Sequence, residues 1–333
     1  MTKAIHLILF VFAYSFATAQ LRLPAVISDH MVLQQNTDVE LWGWDGPNQK
    51  LAIVGSWENR DTFKTVTANT GRWRTTIKTP VAGGPYSISI MGSEKLVLKD
   101  VMMGEVWICS GQSNMEWNVN LGSTDAAAEM PKANFPNIRF FQVPKSSSPT
   151  PQEHGEGQWA ACTPQTMKSF SSVGYFFGKK LHGDLKVPIG LINVSWGGTA
   201  AEVWTPAAAV DSDPELRAAA KALGNSEWWP KDPGIVYNSM IRPLVPYTLA
   251  GAIWYQGESN TAAPATYSKL MKVMIEQWRT EFQKDFPFYY VQIAPFAYGK
   301  TYEGALIREQ QSFMRSIPNT GMVVISDAVD NVE

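Results

Sequence analysis

The run Val106-Trp107-Ile108-Cys109-Ser110-Gly111-Gln112-Ser113-Asn114-Met115-Glu116-Trp117 is built to present a reactive hydroxyl. A β-branched and aromatic stretch ends at Gly111, and Ser113 follows two residues later in a polar turn. A strand that stops this way puts a side chain at the carboxyl edge of a sheet, among backbone N–H groups. The chemistry this allows is nucleophilic attack on an acyl carbon, given a base and an oxyanion site. The Gly-x-Ser-x-Gly elbow of α/β-hydrolases does not fit, because Met115 stands where its second glycine would be. The plainer alternative is a strand-to-helix turn with Ser113 as a helix cap. Two more stretches carry unusual residues at strand ends. In Asn193-Val194-Ser195-Trp196-Gly197-Gly198-Thr199, Gly197 and Gly198 can let backbone approach a ligand and offer N–H donors, or simply form a tight turn. In Trp254-Tyr255-Gln256-Gly257-Glu258-Ser259-Asn260, amides and a carboxylate gather, so Gln256 or Asn260 can serve an oxyanion. The alternative there is a polar loop with Asn260 capping the next helix.

These residues need a scaffold that brings strand ends together. After residue 100, strand-like runs (106–109, 138–143, 189–194, 251–255, 288–293, 321–325) alternate with helix-like runs (173–182, 214–223, 266–282, 306–316). That rhythm predicts an α/β domain with a parallel sheet. Within 266–282, Leu270, Met274 and Trp278 recur every four residues with Ile275 beside them. Ligands of such sheets bind beyond the carboxyl ends of the strands, so Ser113, Gly198 and Gln256 are expected to share one cleft. Residues 20–100 read differently. Strand-like runs at 39–44, 51–57, 62–68, 72–78 and 86–91 are separated by turns such as Asp45-Gly46-Pro47-Asn48 and Asn69-Thr70-Gly71, which predicts a small β-sandwich. Residues 145–157 are polar and rich in proline and serine, as in a surface loop.

The chain has 333 residues, 45% hydrophobic and 17% charged, enough for a sizeable core. A formal net charge of -2 leaves no electrostatic footprint for nucleic acid or an anionic membrane. Thirteen tryptophans give mild support for a carbohydrate ligand, since indole faces stack on sugar rings, although most buried tryptophans are simply core. Lys3, the short apolar run 5–16 and Ala17-Thr18-Ala19 read as a signal peptide over 1–19, which predicts an exported, periplasmic or extracellular protein starting at Gln20. No later stretch is long and apolar enough to span a bilayer. Cys109 and Cys162 could pair or stay as buried thiols. Neither a zinc-ligand spacing nor a Gly-x-Gly-x-x-Gly or Walker loop is present, so no metal or cofactor is expected.

Gly-Gln-Ser-Asn-Met, Trp-Gly-Gly-Thr and Gln-Gly-Glu-Ser-Asn, in this order, resemble the blocks of the sialate O-acetylesterase family of SGNH-type carbohydrate esterases. Smaller matches include Ser28-Asp29-His30-Met31-Val32-Leu33-Gln34, Tyr237-Asn238-Ser239-Met240-Ile241 and Pro287-Phe288-Tyr289-Tyr290-Val291-Gln292. The resemblance implies an SGNH-like three-layer domain over 101–333, preceded by the β-sandwich of 20–100. It implies a serine esterase removing O-acetyl groups from sialic acids or related glycans, without a cofactor. Acetylxylan or pectin esters, or sugar binding without turnover on the same fold, are the alternatives. Ser113 would be the nucleophile. The N–H of Ser113, a glycine N–H at Gly197 or Gly198, and the amide of Gln256, or alternatively Asn260, would hold the oxyanion. Gly257 would shape that loop, Glu258 would hold the loop or the nucleophile turn, and Gln112 and Asn114 would flank the serine. The family's Asp-Ile-His-Pro should follow the last strand, but the chain reads Ser326-Asp327-Ala328-Val329-Asp330-Asn331-Val332-Glu333. No histidine follows His182, and His30, His154 and His182 lack the context of a base. Asp327 and Asp330 without a histidine orient nothing. The expectation is a domain incomplete at its C-terminus.

Overall fold

A computed structural model describes residues 20–57, 62–224, 226–298 and 302–329. The expected leader, 1–19, and Asp330 lie outside the described residues.

Thirteen strands are present among them: β1 (Val32–Gln34), β2 (Asp38–Trp44), β3 (Lys50–Gly55), β4 (Thr62–Val66), β5 (Arg72–Lys78), β6 (Gly83–Met91), β7 (Lys95–Gly111), β8 (Phe135–Gln142), β9 (Trp159–Cys162), β10 (Ile189–Ser195), β11 (Gly251–Tyr255), β12 (Phe288–Val291) and β13 (Thr320–Val323). The central sheet has the order β13-β12-β11-β7-β10-β8-β9. All its pairs are parallel except β8 with the edge strand β9, which is antiparallel and has no counterpart in the expected strands. β7 lies between β10 and β11, which the chain reaches on opposite sides. That arrangement opens a crevice beyond the carboxyl ends of these three strands.

Alternation along the central strands assigns side chains to two layers. Val106, Ile108, Ile192, Val194, Ala252 and Trp254 face one core cluster, together with Leu270, Met274 and Trp278 of the helix Tyr267–Glu281. Trp107, Cys109, Leu191 and Ile253 face the other, together with Tyr175 of the helix Ser172–Leu185. The four-residue repeat in 266–282 is therefore the buried stripe of a helix covering one face of the sheet. Cys109 and Cys162 are free and buried in the second cluster. Burial pushes the Cys162 thiol up to about 12 and the Cys109 thiol higher still, so both behave as small hydrophobes.

The first hundred residues form two antiparallel groups, β2 with β5, and β4-β3-β6 continuing onto the start of β7. Leu41, Ile53, Ile77, Ile88 and Ile90 from these strands belong to the same cluster as Ile108 and Trp254. The boundary expected at residue 100 falls inside β7. This strand pairs with β6 and β1 in its first half and with β10 and β11 in its second. Along it the pattern passes from a mixture of exposed and buried residues to an almost wholly buried run, so the change of neighbours falls within one strand.

Candidate active site

β7 ends at Gly111, whose φ is +136°. A Cβ there would lie 2.1 Å from the Tyr255 carbonyl oxygen, so only glycine lets β7 and β11 close up at this point. The Gln112 N–H then donates to the Tyr255 carbonyl at 3.0 Å, and the Trp196 N–H donates to the Gly111 carbonyl at 3.1 Å. Ser113 opens a single helical turn, Ser113–Glu116. Met115 is fully buried in the second core cluster and anchors that turn, which is why an apolar residue and not glycine follows the serine by two.

Three side chains of this turn lock the strand ends together. Glu116 Oε2 accepts from the Gly197 N–H at 2.6 Å, while its Oε1 pairs with Lys145 Nζ at 2.5 Å. Asn114 Nδ2 donates to Glu258 Oε1 at 2.6 Å. Gln112 Oε1 accepts from the N–H groups of Ser259, at 3.2 Å, and Gly257, at 3.4 Å. A Cβ on Gly197 would sit 3.4 Å from Ser113 Cβ, so that loop is packed directly on the serine. Ser113, Gly197, Gly198 and Glu258 thus converge.

What stays open at this convergence matters most for chemistry. Among the described residues, Ser113 Oγ makes no hydrogen bond, and neither do the N–H groups of Ser113 and Gly198 or the Nε2 of Gln112. Gly198 has φ +79°, and the Trp229 ring lies where its Cβ would be, 2.5 Å from the nearest ring carbon. Two cavities flank the turn. One of about 560 Å³ is lined by Asn114, Trp117, Phe176 and Tyr255. Another of about 310 Å³ is lined by Gly198, Trp229, Glu258 and Ser259.

Gln256 and Asn260, expected as oxyanion donors, are placed otherwise. Gln256 is fully buried; its Nε2 donates to Asn260 Oδ1 at 2.8 Å and to the Thr199 carbonyl at 3.2 Å, and its Oε1 accepts from Tyr267 at 2.9 Å. Asn260 accepts from the Ala201 N–H and donates to Glu202 Oε2, at 2.9 and 2.8 Å. Both N–H groups of Gln256 Nε2 are engaged in the interior, so Gln256 points no free N–H at a ligand; Asn260 is buried as well, with one N–H of its Nδ2 engaged by Glu202. The Gly197 N–H, tied to Glu116, is likewise not available. Of the two glycines, Gly198 carries the free donor.

Two carboxylates of this region, Glu258 and Glu202, are perturbed. Burial lifts the Glu258 carboxyl above the usual range, and its Oε2 has no partner among the described residues. Burial lifts that of Glu202 too, opposed by the bond from Asn260. Sequence reading assigned no role to Glu116, Glu202 or Tyr267. Glu116 could have been found, since it stands three residues after Ser113 on the same short turn.

The described histidines are held elsewhere. His30 Nδ1 bonds Asp100 at 2.6 Å, beside Arg139; His182 Nδ1 bonds the Val187 carbonyl at 2.7 Å; and His154 meets the edge of Trp44. Among the described residues no group of three His, Cys, Asp or Glu could hold a metal ion, and no helix is long and apolar enough to cross a membrane.

Comparison with known proteins gives this geometry a context. The sequence model of the carbohydrate esterase family described as sialic acid-specific acetylesterase matches residues 103–331. The chain belongs to this family. It is 30% identical, over 93% of its length, to the sialate O-acetylesterases of Pongo abelii and Homo sapiens. It spans 65% of the length of each of these relatives. A carbohydrate acetylesterase from Xanthomonas citri, known from its crystal structure, superposes with a TM-score of 0.84 at 35% identity. That match covers 94% of this chain and 71% of the other. The family model begins within β7 and includes all three strand ends of the crevice.

Proposed function

We propose that this chain carries the nucleophile and oxyanion site of an exported SGNH-type serine esterase that removes O-acetyl groups from sugars, sialic acids among them. Family membership and the acetylesterase relatives support the reaction class. The observation that carries the reading at the residue level is the serine turn itself. An unbonded hydroxyl stands beside two unbonded backbone N–H groups, and three side chains hold that turn to both neighbouring loops.

In this reading Ser113 Oγ attacks the acetyl carbonyl carbon and its proton passes to a base. The sugar oxygen leaves with a proton, and water then hydrolyses the acetyl-serine to acetate. The oxyanion is held by the N–H groups of Ser113 and Gly198 and by Gln112 Nε2, which takes the place first assigned to Gln256. Glu258 steadies the turn through Asn114. Among the described residues no histidine stands at Ser113; without a base, the oxyanion donors and binding alone leave about 10³–10⁴-fold acceleration over water. The two flanking cavities, with Trp117, Phe176 and Trp229, would seat the sugar. The antiparallel strands of 20–100 are read as a small β-sandwich, and the run 1–19 as the leader that directs export to the periplasm or beyond.

The test is acetate release from p-nitrophenyl acetate and from an O-acetylated sialic acid. It is measured on the protein and on its Ser113→Ala variant. Turnover that depends on Ser113 supports the reading. Turnover that survives Ser113→Ala, or its absence, rejects it.

A further inference from the structure

A third cavity, of about 450 Å³, lies away from Ser113, lined by the β2–β5 pair, by the segment that precedes β11 and by Glu281 and Gln283. Its size falls within the ~300–1,000 Å³ typical of small-ligand sites. One wall is built by strand alternation. On β2, Trp42 and Trp44 share a half-exposed face while Leu41 points into the core. On β5, Arg74 stands opposite Trp42 and Arg72 opposite Trp44, so two indoles and two guanidiniums alternate across the pair. The facing wall carries Arg242, Glu281 and Gln283.

The charges on these walls are not equivalent. Arg72 is paired with Glu153; Arg74 is bonded to Glu40 and, at 2.9 Å, to Gln283. Arg242 is half-buried and makes no ion pair or side-chain hydrogen bond among the described residues. It is positioned by an unusual backbone, the single π-helical turn Tyr237–Ile241, whose first carbonyl accepts the Arg242 N–H. Such turns are frequent at functional sites. A half-buried guanidinium without a partner among the described residues, lining the same cavity as Trp42 and Trp44, is a fork for a planar oxyanion beside indole rings.

We propose that this cavity is an accessory binding site for a carboxylate-bearing sugar, with the carboxylate on Arg242 and the ring against Trp42 and Trp44. The ligand class follows from the side chains of this cavity and is independent of the reaction assigned to Ser113. A sialic acid and a uronic acid both present this chemistry. A neutral sugar would leave Arg242 without a partner.

The test is titration calorimetry of the 333-residue chain with N-acetylneuraminic acid, galacturonic acid and, as the uncharged control, the methyl ester of N-acetylneuraminic acid. One of the two acids should bind saturably and the methyl ester about tenfold or more weakly. Arg242→Gln and Trp42→Ala should each weaken the acid about tenfold or more, while Ser113→Ala should leave its affinity unchanged. Thermal melting of each variant checks that it is folded. If a variant melts early, Arg242→Lys replaces Arg242→Gln; it retains the charge without the fork and should restore only part of the affinity. Absence of saturable binding by both acids overturns the proposal. So does binding that a folded Arg242→Gln protein retains, and so does binding that Ser113→Ala removes.

Discussion

Two polar clusters, far apart in the chain, meet at the same sheet edge, where Gln112 accepts from the N–H groups of Gly257 and Ser259. In one, Gln256, Asn260, Glu202 and Tyr267 are buried and bonded to one another. In the other, Gln112, Ser113 and Asn114 use some atoms to hold the turn and leave a hydroxyl, an amide nitrogen and a backbone N–H open. An amide near a nucleophile is therefore not defined by its position in a motif. What separates an interior brace from an oxyanion donor is whether its N–H still lacks an acceptor.

The comparison breaks most visibly if function and stability fail to separate between the clusters. Ser113→Ala is expected to lower acetyl-ester turnover by about 10³-fold or more. Its unfolding free energy should stay within about 0.5 kcal/mol, because Ser113 is half-exposed and its Oγ is unbonded. Kinetics and urea melts on the same preparation check both halves. Asn260→Ala should do the opposite. It strips the Ala201 N–H, Gln256 and Glu202 of a buried partner and should cost about 3 kcal/mol in urea unfolding. A protein of unchanged stability with a hundredfold loss of turnover would instead make Asn260 an oxyanion donor. Gln112→Glu keeps an oxygen for the Ser259 and Gly257 N–H groups but replaces the free Nε2. Turnover should fall about 10²-fold with KM nearly unchanged.

The two carboxylates sharpen the contrast through pH. Glu258 and Glu202 both have folded pKa values raised above the ordinary 4.5 by burial. A group raised on folding contributes stability that is fully present below its unfolded pKa and is lost as pH rises through its folded one. Stability should therefore decline as pH rises above 4.5 through these two titrations. Glu258→Gln should flatten part of the decline while retaining an acceptor for Asn114, as denaturant midpoints across pH 4–8 would show. The smallest effect belongs to Lys145→Ala. Its pair with Glu116 is partly exposed, so removal should cost less than about 1 kcal/mol and leave kcat unchanged.

Much of this was legible in the sequence, for identifiable reasons. β11 is observed with its expected bounds, and β5 likewise, because alternation or an apolar run was bracketed by turn residues. Ser113 was visible because a glycine ends an apolar strand just before it. The edge strand β9, only Trp159–Cys162, was missed: it is too short to show a period, and its pairing partner β8 precedes a long loop. That the amide of Gln256 is bonded in the interior was not legible for a different reason. Its type fits the role, but its burial depends on Tyr267, Thr199 and Asn260, which come together only when the loops after β10 and β11 meet. Likewise Glu116 gains its meaning from Gly197, far along the chain.

The position of β7 bears on how the protein emerges from the ribosome. The half of this strand that carries the serine turn is flanked by β10 and β11, both made well after it, whereas β6, which pairs with its first half, is already available. At about 5–20 residues per second, the apolar run Val106–Cys109 waits for several seconds with both edges bare. Until those late strands arrive, the segment that will carry the serine turn is open to pairing with a stranger. A holdase that engages this segment during translation would shield it through that interval.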